Sequence, residues 1–177
     1  ILYLLIAFFS YSTINLSLGV KEKSSYKLAL LSGLLPPTFY TVYENNNGCP
    51  LGLNCFKDFE KGLLESRYTN KPMLIDFTGW ACANCRRVEE NTWSKNDIYN
   101  MINDEFILIS LYVDDRSKLL NNKNINLTDK NGNVKILENE GEKWSAFQTL
   151  NFNINSQPYY CLLYTSPSPE TSLHLVC

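Results

Sequence analysis

Past an uncharged opening, the chain alternates between stretches where apolar residues recur at helical spacing and short runs that are apolar throughout. In FKDFEKGLLESRY the residues Phe56, Phe59, Leu63 and Leu64, with Arg67, follow helical periodicity and predict an amphipathic helix over residues 56–68. KPMLIDF contains a compact apolar run, residues 73–77, of a length that suits a buried strand, with Pro72 at its first edge. Residues 86–91 read as helical, and SKNDIYNMI restarts a helix with Ser94 as N-cap and Asp97 three positions on. EFILISLYV, rich in β-branched and aromatic residues, predicts a strand. The polar stretch 114–141 that follows reads as a surface insertion, with a hairpin turn at Asn131-Gly132 between Leu127 and the run Val134 to Leu137. EKWSAFQTLNF spaces Trp144, Phe147 and Leu150 three apart for a last helix, and Pro158 in NINSQPYY opens a further strand. Helices and strands in alternation predict an α/β layer architecture around a central sheet.

Composition places this pattern in the globular class. With 45% hydrophobic and 19% charged residues, 177 positions suit one ordinary domain and an appendage. The net charge of −2 offers no positive field for phosphates, which argues against a nucleic-acid partner. The opening ILYLLIAFFSYSTINLSLGV has no charge before Lys21 and is long enough to cross a hydrocarbon core of about 30 Å, with Lys21, Glu22 and Lys23 marking the exit. A transmembrane helix over residues 1–20 is therefore expected, although Ser10, Ser12, Thr13, Asn15 and Ser17 dilute its second half. A signal peptide would want a basic start and a small-residue cleavage pattern, and a soluble core helix this apolar is uncommon. Beginning at Ile1, the chain reads as a piece of a longer one. Residues 21–48, with Pro36, Pro37 and the polar run Asn45 to Gly48, read as a linker.

The other end changes character at Cys161. CLLYTSPSPETSLHLVC drops the polar, Asn- and Lys-rich style of the preceding segment and resembles a translated transposon-end sequencing adapter. Residues 161–177 are accordingly expected to be foreign to the native chain, so that Cys161, His174 and Cys177 receive no role and the native sheet loses its closing elements, leaving an open edge. His174 is the single histidine, and setting it aside removes any Cys-His dyad.

Four cysteines remain, Cys49, Cys55, Cys82 and Cys85. Cys82 falls at the first turn of a predicted helix, where unpaired backbone N–H groups and the positive end of the macrodipole favour thiolate over thiol. Cys85, one turn later, is within reach for a disulfide. This arrangement makes Cys82 the nucleophile on a partner disulfide and Cys85 the thiol that resolves the mixed intermediate. Arg86 and Arg87 either add positive potential there or are ordinary solvated helix charges.

DFTGWACANC resembles the active site of thioredoxin-like domains, most closely the C-terminal domain of DsbD-type thiol:disulfide interchange proteins. LSGLLPP followed by GLNCFKDFEKGL is similar to the junction, in such proteins, between the last transmembrane helix and that domain. The resemblance implies a thioredoxin-like fold over residues 49–160, a central mixed sheet flanked by helices, truncated at its C-terminal end. It implies that Asp76 is a buried acid beneath the disulfide, a proton relay to Cys85, a reading its apolar neighbours Leu74, Ile75 and Phe77 favour over a solvent-facing aspartate. It also implies that Pro158 is a cis-proline against the disulfide, leaving the Gln157 backbone to pair with an incoming chain. The implied activity is reduction of periplasmic disulfide-bonded proteins by electrons from an upstream transmembrane domain at the bacterial inner membrane. No cofactor or metal is implied beyond the Cys82–Cys85 couple. Two departures bear on partner choice: Trp80 stands two before Cys82, where many relatives carry a Trp immediately before it, and the 114–141 insertion is long.

Two other readings share these residues. A disulfide oxidase or isomerase would use the same fold and motif, since a reduction potential depends on how each redox state is stabilised. A four-thiolate zinc site from Cys49, Cys55, Cys82 and Cys85 would make this a binding module, but zinc pairs usually have about two to four residues between ligands, and CPLGLNC has five. In an oxidising compartment Cys49 and Cys55 are expected as a separate disulfide or as two free thiols.

Overall fold

The computed structural model describes Tyr3, Ser10 and residues 48–119, 125–128, 134–165 and 173–176. Apart from Tyr3 and Ser10, the expected transmembrane helix lies outside the described residues, as does the linker before Gly48. Among the described residues no helix is long and apolar enough to cross a membrane.

A 3-10 turn, Pro50–Gly52, leads into the two-residue strand β1 (Cys55–Phe56) and helix α1 (Phe59–Thr69). Strand β2 (Met73–Thr78) is followed by α2 (Ala83–Val88), a wide π turn (Glu89–Trp93) and α3 (Asn96–Glu105). Then come β3 (Ile107–Tyr112), β4 (Ile125–Thr128), β5 (Val134–Leu137), α4 (Glu140–Phe152), β6 (Tyr159–Thr165) and β7 (Leu173–Val176). The main sheet has the order β1-β3-β2-β6-β7, and β4 and β5 form a separate hairpin. β3 is parallel to β1 and β2, whereas β6 runs antiparallel to β2 and β7 antiparallel to β6, which makes the sheet mixed.

β2 is central and covered on both faces, which is why its sequence is an apolar run interrupted at Asp76 and ended by Thr78. Met73, Ile75 and Phe77 point into one core with Leu63 of α1, Ile109 and Leu111 of β3 and Trp144 of α4. By alternation Leu74 and Asp76 face the other side, where Leu53, Trp93, Ile102 and Leu108 form a second core under α2 and α3. α1 sits close to the sheet because Gly62 leaves its Cβ space to the Ile109 side chain. α1 and α4 are bounded alike. Asp58 and Asn139 side chains accept the Lys61 and Glu142 amides at 3.1 and 2.9 Å, and Asn70 and Asn153 end the helices in the left-handed conformation that Asn tolerates.

Several expectations shift. Phe56 is in β1, not in the helix, because Asp58 caps the helix two residues later and Cys55 and Phe56 find partners in Leu108 and Ile109. Leu64 and Leu150 are 65% and 67% exposed, so α1 turns Leu63 inward and α4 turns in Trp144 and the polar Gln148. Ser94 does not cap α3: its hydroxyl donates back to the Glu90 carbonyl at 2.5 Å and its amide to Glu89, so it closes the π turn, while Lys95 stands at the α3 N-cap. The helix expected over 86–91 begins earlier, at Ala83, and ends in that π turn. β4 and β5 pair as the expected hairpin, with the Asn131-Gly132 turn outside the described residues. At the C-terminal end, β6 runs through the compositional break, with Cys161 and Leu163 buried in the first core. The sheet edge expected to be open beyond β6 carries β7, since the unpaired backbone groups of β6 recruit an apolar segment.

Candidate functional site

β2 ends at Thr78, and a three-residue loop, Gly79 to Ala81, delivers the chain to Cys82. Cys82 is the N-cap of α2, in extended conformation, and its Sγ accepts the Cys85 amide at 3.2 Å. A capping sulfur one turn from a second cysteine puts the two Cα atoms 5.3 Å apart, and the side chains form the Cys82–Cys85 disulfide. The two sulfurs differ in access. Cys85 is 1% exposed, whereas Cys82 is half-buried and lines a cavity of about 300 Å³ with Gly79, Asn84, Asp114 and Gln157. Gln157 belongs to the loop before β6, and the Gln157–Pro158 bond is cis. The sequence-predicted Cys82, Cys85 and Pro158 thus lie at one end of β2 and β6, and Asp76 lies within β2 itself.

Asp76 is 1% exposed and pairs in register with Ser110 of β3 on one side and Tyr160 of β6 on the other. Neither carboxylate oxygen has a hydrogen-bond partner among the described residues, and the buried Ser110 hydroxyl, though near enough to act electrostatically, also lacks one in hydrogen-bonding geometry. Desolvation pushes the Asp76 carboxyl up to about 7, against the opposing pull of the Arg86 guanidinium and of Ser110.

Of the two readings of Arg86, the solvated helix charge is the one overturned, while its positive field acts on the buried Asp76. Arg86 is 4% exposed, turned beneath α2, where it pairs with Glu89 at 2.8 Å and donates to Thr78 Oγ1 at 3.2 Å and the Gly79 carbonyl at 3.5 Å. Arg87 is the exposed member of the pair. Glu89, not anticipated from the sequence, is 4% exposed and its carboxyl is also raised by burial, with Arg86 opposing. One guanidinium therefore serves two buried carboxyls. Glu89 holds it directly, and burial pushes both carboxyls up against its pull, Asp76 to about 7 and Glu89 to about 8. The phenols of Tyr112 and Tyr160, facing the same region, are shifted upward by burial and remain neutral. A signal for Glu89 was in the sequence, an opposite charge three residues after Arg86 on the helix that carries the cysteines.

The other cysteine pair lies nearby in the chain. Cys49 and Cys55 form a second disulfide, Cα atoms 5.9 Å apart, with Cys49 4% exposed. The structure thus joins these four cysteines two by two, where a zinc site would need them as a cluster of four thiolates. Among the described residues no group of His, Cys, Asp and Glu has the arrangement of a metal site. Trp80 stacks on Tyr112 with ring centroids 3.8 Å apart, and the Tyr112 hydroxyl donates to the Gly48 carbonyl at 3.2 Å, linking the reactive loop to the domain's entry.

Residues 54–136 match the model of a thioredoxin-like family. Among solved structures, a thioredoxin from Thermus thermophilus is similar with a TM-score of 0.47 and 12% identity, over 71% of this chain and 72% of that one. No curated protein matches the chain. The mixed α/β fold, with its sheet flanked by helices and its paired cysteines after β2, is thioredoxin-like.

Proposed function

We propose that the protein is a thiol:disulfide oxidoreductase that reduces disulfide-bonded partner proteins through Cys82 and Cys85. The observation that carries this is the asymmetry of the pair: one sulfur opens to a cavity while the other is sealed beneath a helix turn. In the reduced protein the Cys82 thiolate, stabilised by the Cys85 amide, attacks a sulfur of the partner disulfide. That bond breaks, the released partner sulfur takes a proton, and a mixed disulfide remains. Cys85 then loses its proton and attacks the Cys82 sulfur, closing Cys82–Cys85 and freeing the second partner thiol. Two electrons leave the protein, and a dithiol donor must restore them.

Asp76 fits the role of acceptor for the Cys85 proton. It lies on the α2 side of β2, within the field of Arg86, and a carboxyl with a pKa of about 7 takes or gives a proton at neutral pH. Pro158 and the Gln157 backbone beside the cavity form the surface on which a partner segment rests. The fuller reading is a DsbD-type protein: a membrane tether before residue 48, an upstream transmembrane domain as electron donor, and extracytoplasmic partners on the periplasmic side. The apolar opening and the LSGLLPP junction support it.

Cys85→Ser tests the reaction. The variant should accumulate disulfide-linked adducts through Cys82 that dithiothreitol releases, and no adduct should form when Cys82 is also replaced. A redox titration tests the direction. A potential as oxidising as that of a dedicated disulfide oxidase would overturn the reductase reading.

A further inference from the structure

The loop that presents Cys82 is held by a residue more than thirty positions away in the sequence. Asp114 follows β3, beyond the backbone bond in which the Val113 amide donates to the Thr78 carbonyl at 3.0 Å. Its carboxylate folds back over the β2–α2 loop. Oδ1 accepts the Trp80 amide at 2.7 Å and Oδ2 accepts the Ala81 amide at 2.9 Å. Consecutive amides can both point at one carboxylate only if the loop is fixed in a narrow conformation, and charge-assisted bonds of this length are the stronger kind. Gly79 completes the fit, because a Cβ there would lie 2.9 Å from Asp114 Oδ2. From beneath, Arg86 donates to the Gly79 carbonyl, and the Cys82 amide closes a turn onto the same carbonyl at 3.2 Å.

We propose that Asp114 is a positioning residue for Cys82, clamping the Trp80 and Ala81 amides so that the Cys82 sulfur is held at the start of α2 in the geometry that closes onto Cys85. The inference rests on the exchange activity proposed above. Two consequences point the same way. An ordered loop favours closure of the disulfide, as prior ordering favours any ring closure. The carboxylate also lines the Cys82 cavity, and a negative charge there disfavours the thiolate of the reduced form. Both bias the Cys82–Cys85 couple toward the disulfide, the state a good reductant prefers.

The test is the equilibrium of the full chain with glutathione, read as the ratio of dithiol to disulfide at Cys82–Cys85 after thiol trapping. Asp114→Ala, lacking clamp and charge, should move the ratio toward dithiol by about tenfold. Asp114→Asn, which keeps one acceptor and loses the charge, should move it about threefold, and the part due to the clamp should persist in 1 M salt, where exposed charges are screened. Ratios for both variants within twofold of wild type would overturn the proposal. So would Asn and Ala variants that coincide, since charge alone would then suffice. If the Ala variant does not fold, the Asn variant decides: a shift that survives high salt supports the clamp, and one that vanishes refutes it. A wild-type couple that never equilibrates with glutathione would instead refute the exchange reading, and the clamp with it.

Discussion

Among the described residues two disulfides close short loops, and their surroundings could hardly differ more. Cys49–Cys55 closes a segment that enters the domain, its Cys49 buried at 4% exposure at the start of a 3-10 turn. Cys82–Cys85 closes the first turn of α2, with the outer sulfur accepting a backbone amide and facing a cavity, and a buried acid and ion pair beneath. On the function proposed above, the same covalent bond is a staple in one place and a reagent in the other. What distinguishes them in the structure is an outer sulfur that lines a cavity, a backbone amide donating to it, and a buried carboxyl within the sheet.

Breaking the contrast outright should require only one atom. Cys82→Ser is expected to lower disulfide reduction at least about a thousandfold, to background, because no other described sulfur combines access with an amide donor; insulin or a small disulfide substrate gives the rate. Replacing Cys49 and Cys55 together by Ser should leave that rate within about twofold. The loss should instead appear as stability, about 2 kcal/mol for so short a loop, in denaturant unfolding of the oxidised protein.

Asp76→Asn sharpens the comparison from beneath. If the carboxylate takes the Cys85 proton, the wild-type resolving step should rise with pH through about 7, and the variant should be slower by roughly ten- to a hundredfold and lose that rise. Stability gives the opposite sign. The Asp76 carboxyl titrates near 7 in the fold against an ordinary 3.8, so the native state holds the proton more tightly than the unfolded chain. Its contribution is then fullest in acid and is lost as pH climbs from about 4 through about 7, a slope that Asp76→Asn should flatten in thermal unfolding. Smallest is Trp80→Leu, which removes the stack on Tyr112 and should cost about 1 kcal/mol, with no change at Cys49–Cys55.

The parts of the fold legible in the sequence were those where one physical demand dominated. β2 and β3 are buried on both faces, so their apolar runs could hardly be read otherwise, and the cysteine pair stood where a strand hands over to a helix. Misreadings arose where demands competed. Phe56 satisfies helical spacing, yet a sheet partner and a cap at Asp58 claimed it first. Ser94 looked like a cap because capping and helix-terminating serines have the same composition, and only the backbone decides which carbonyl or amide is near. Gln148 was passed over because polar residues are assumed to face water; it is fully buried, donating to the Ser156 carbonyl at 3.0 Å and accepting from Gln157 at 2.9 Å. Asp114 gave no local sign, since its partners are brought to it by the pairing of β2 with β3.

The bond from the Tyr112 hydroxyl to the Gly48 carbonyl has a geometric corollary. The described domain therefore begins beside Tyr112 and the Trp80 ring stacked on it, next to the loop that leads to Cys82. On the tethered reading proposed above, the domain would be moored on the side of its cysteine loop.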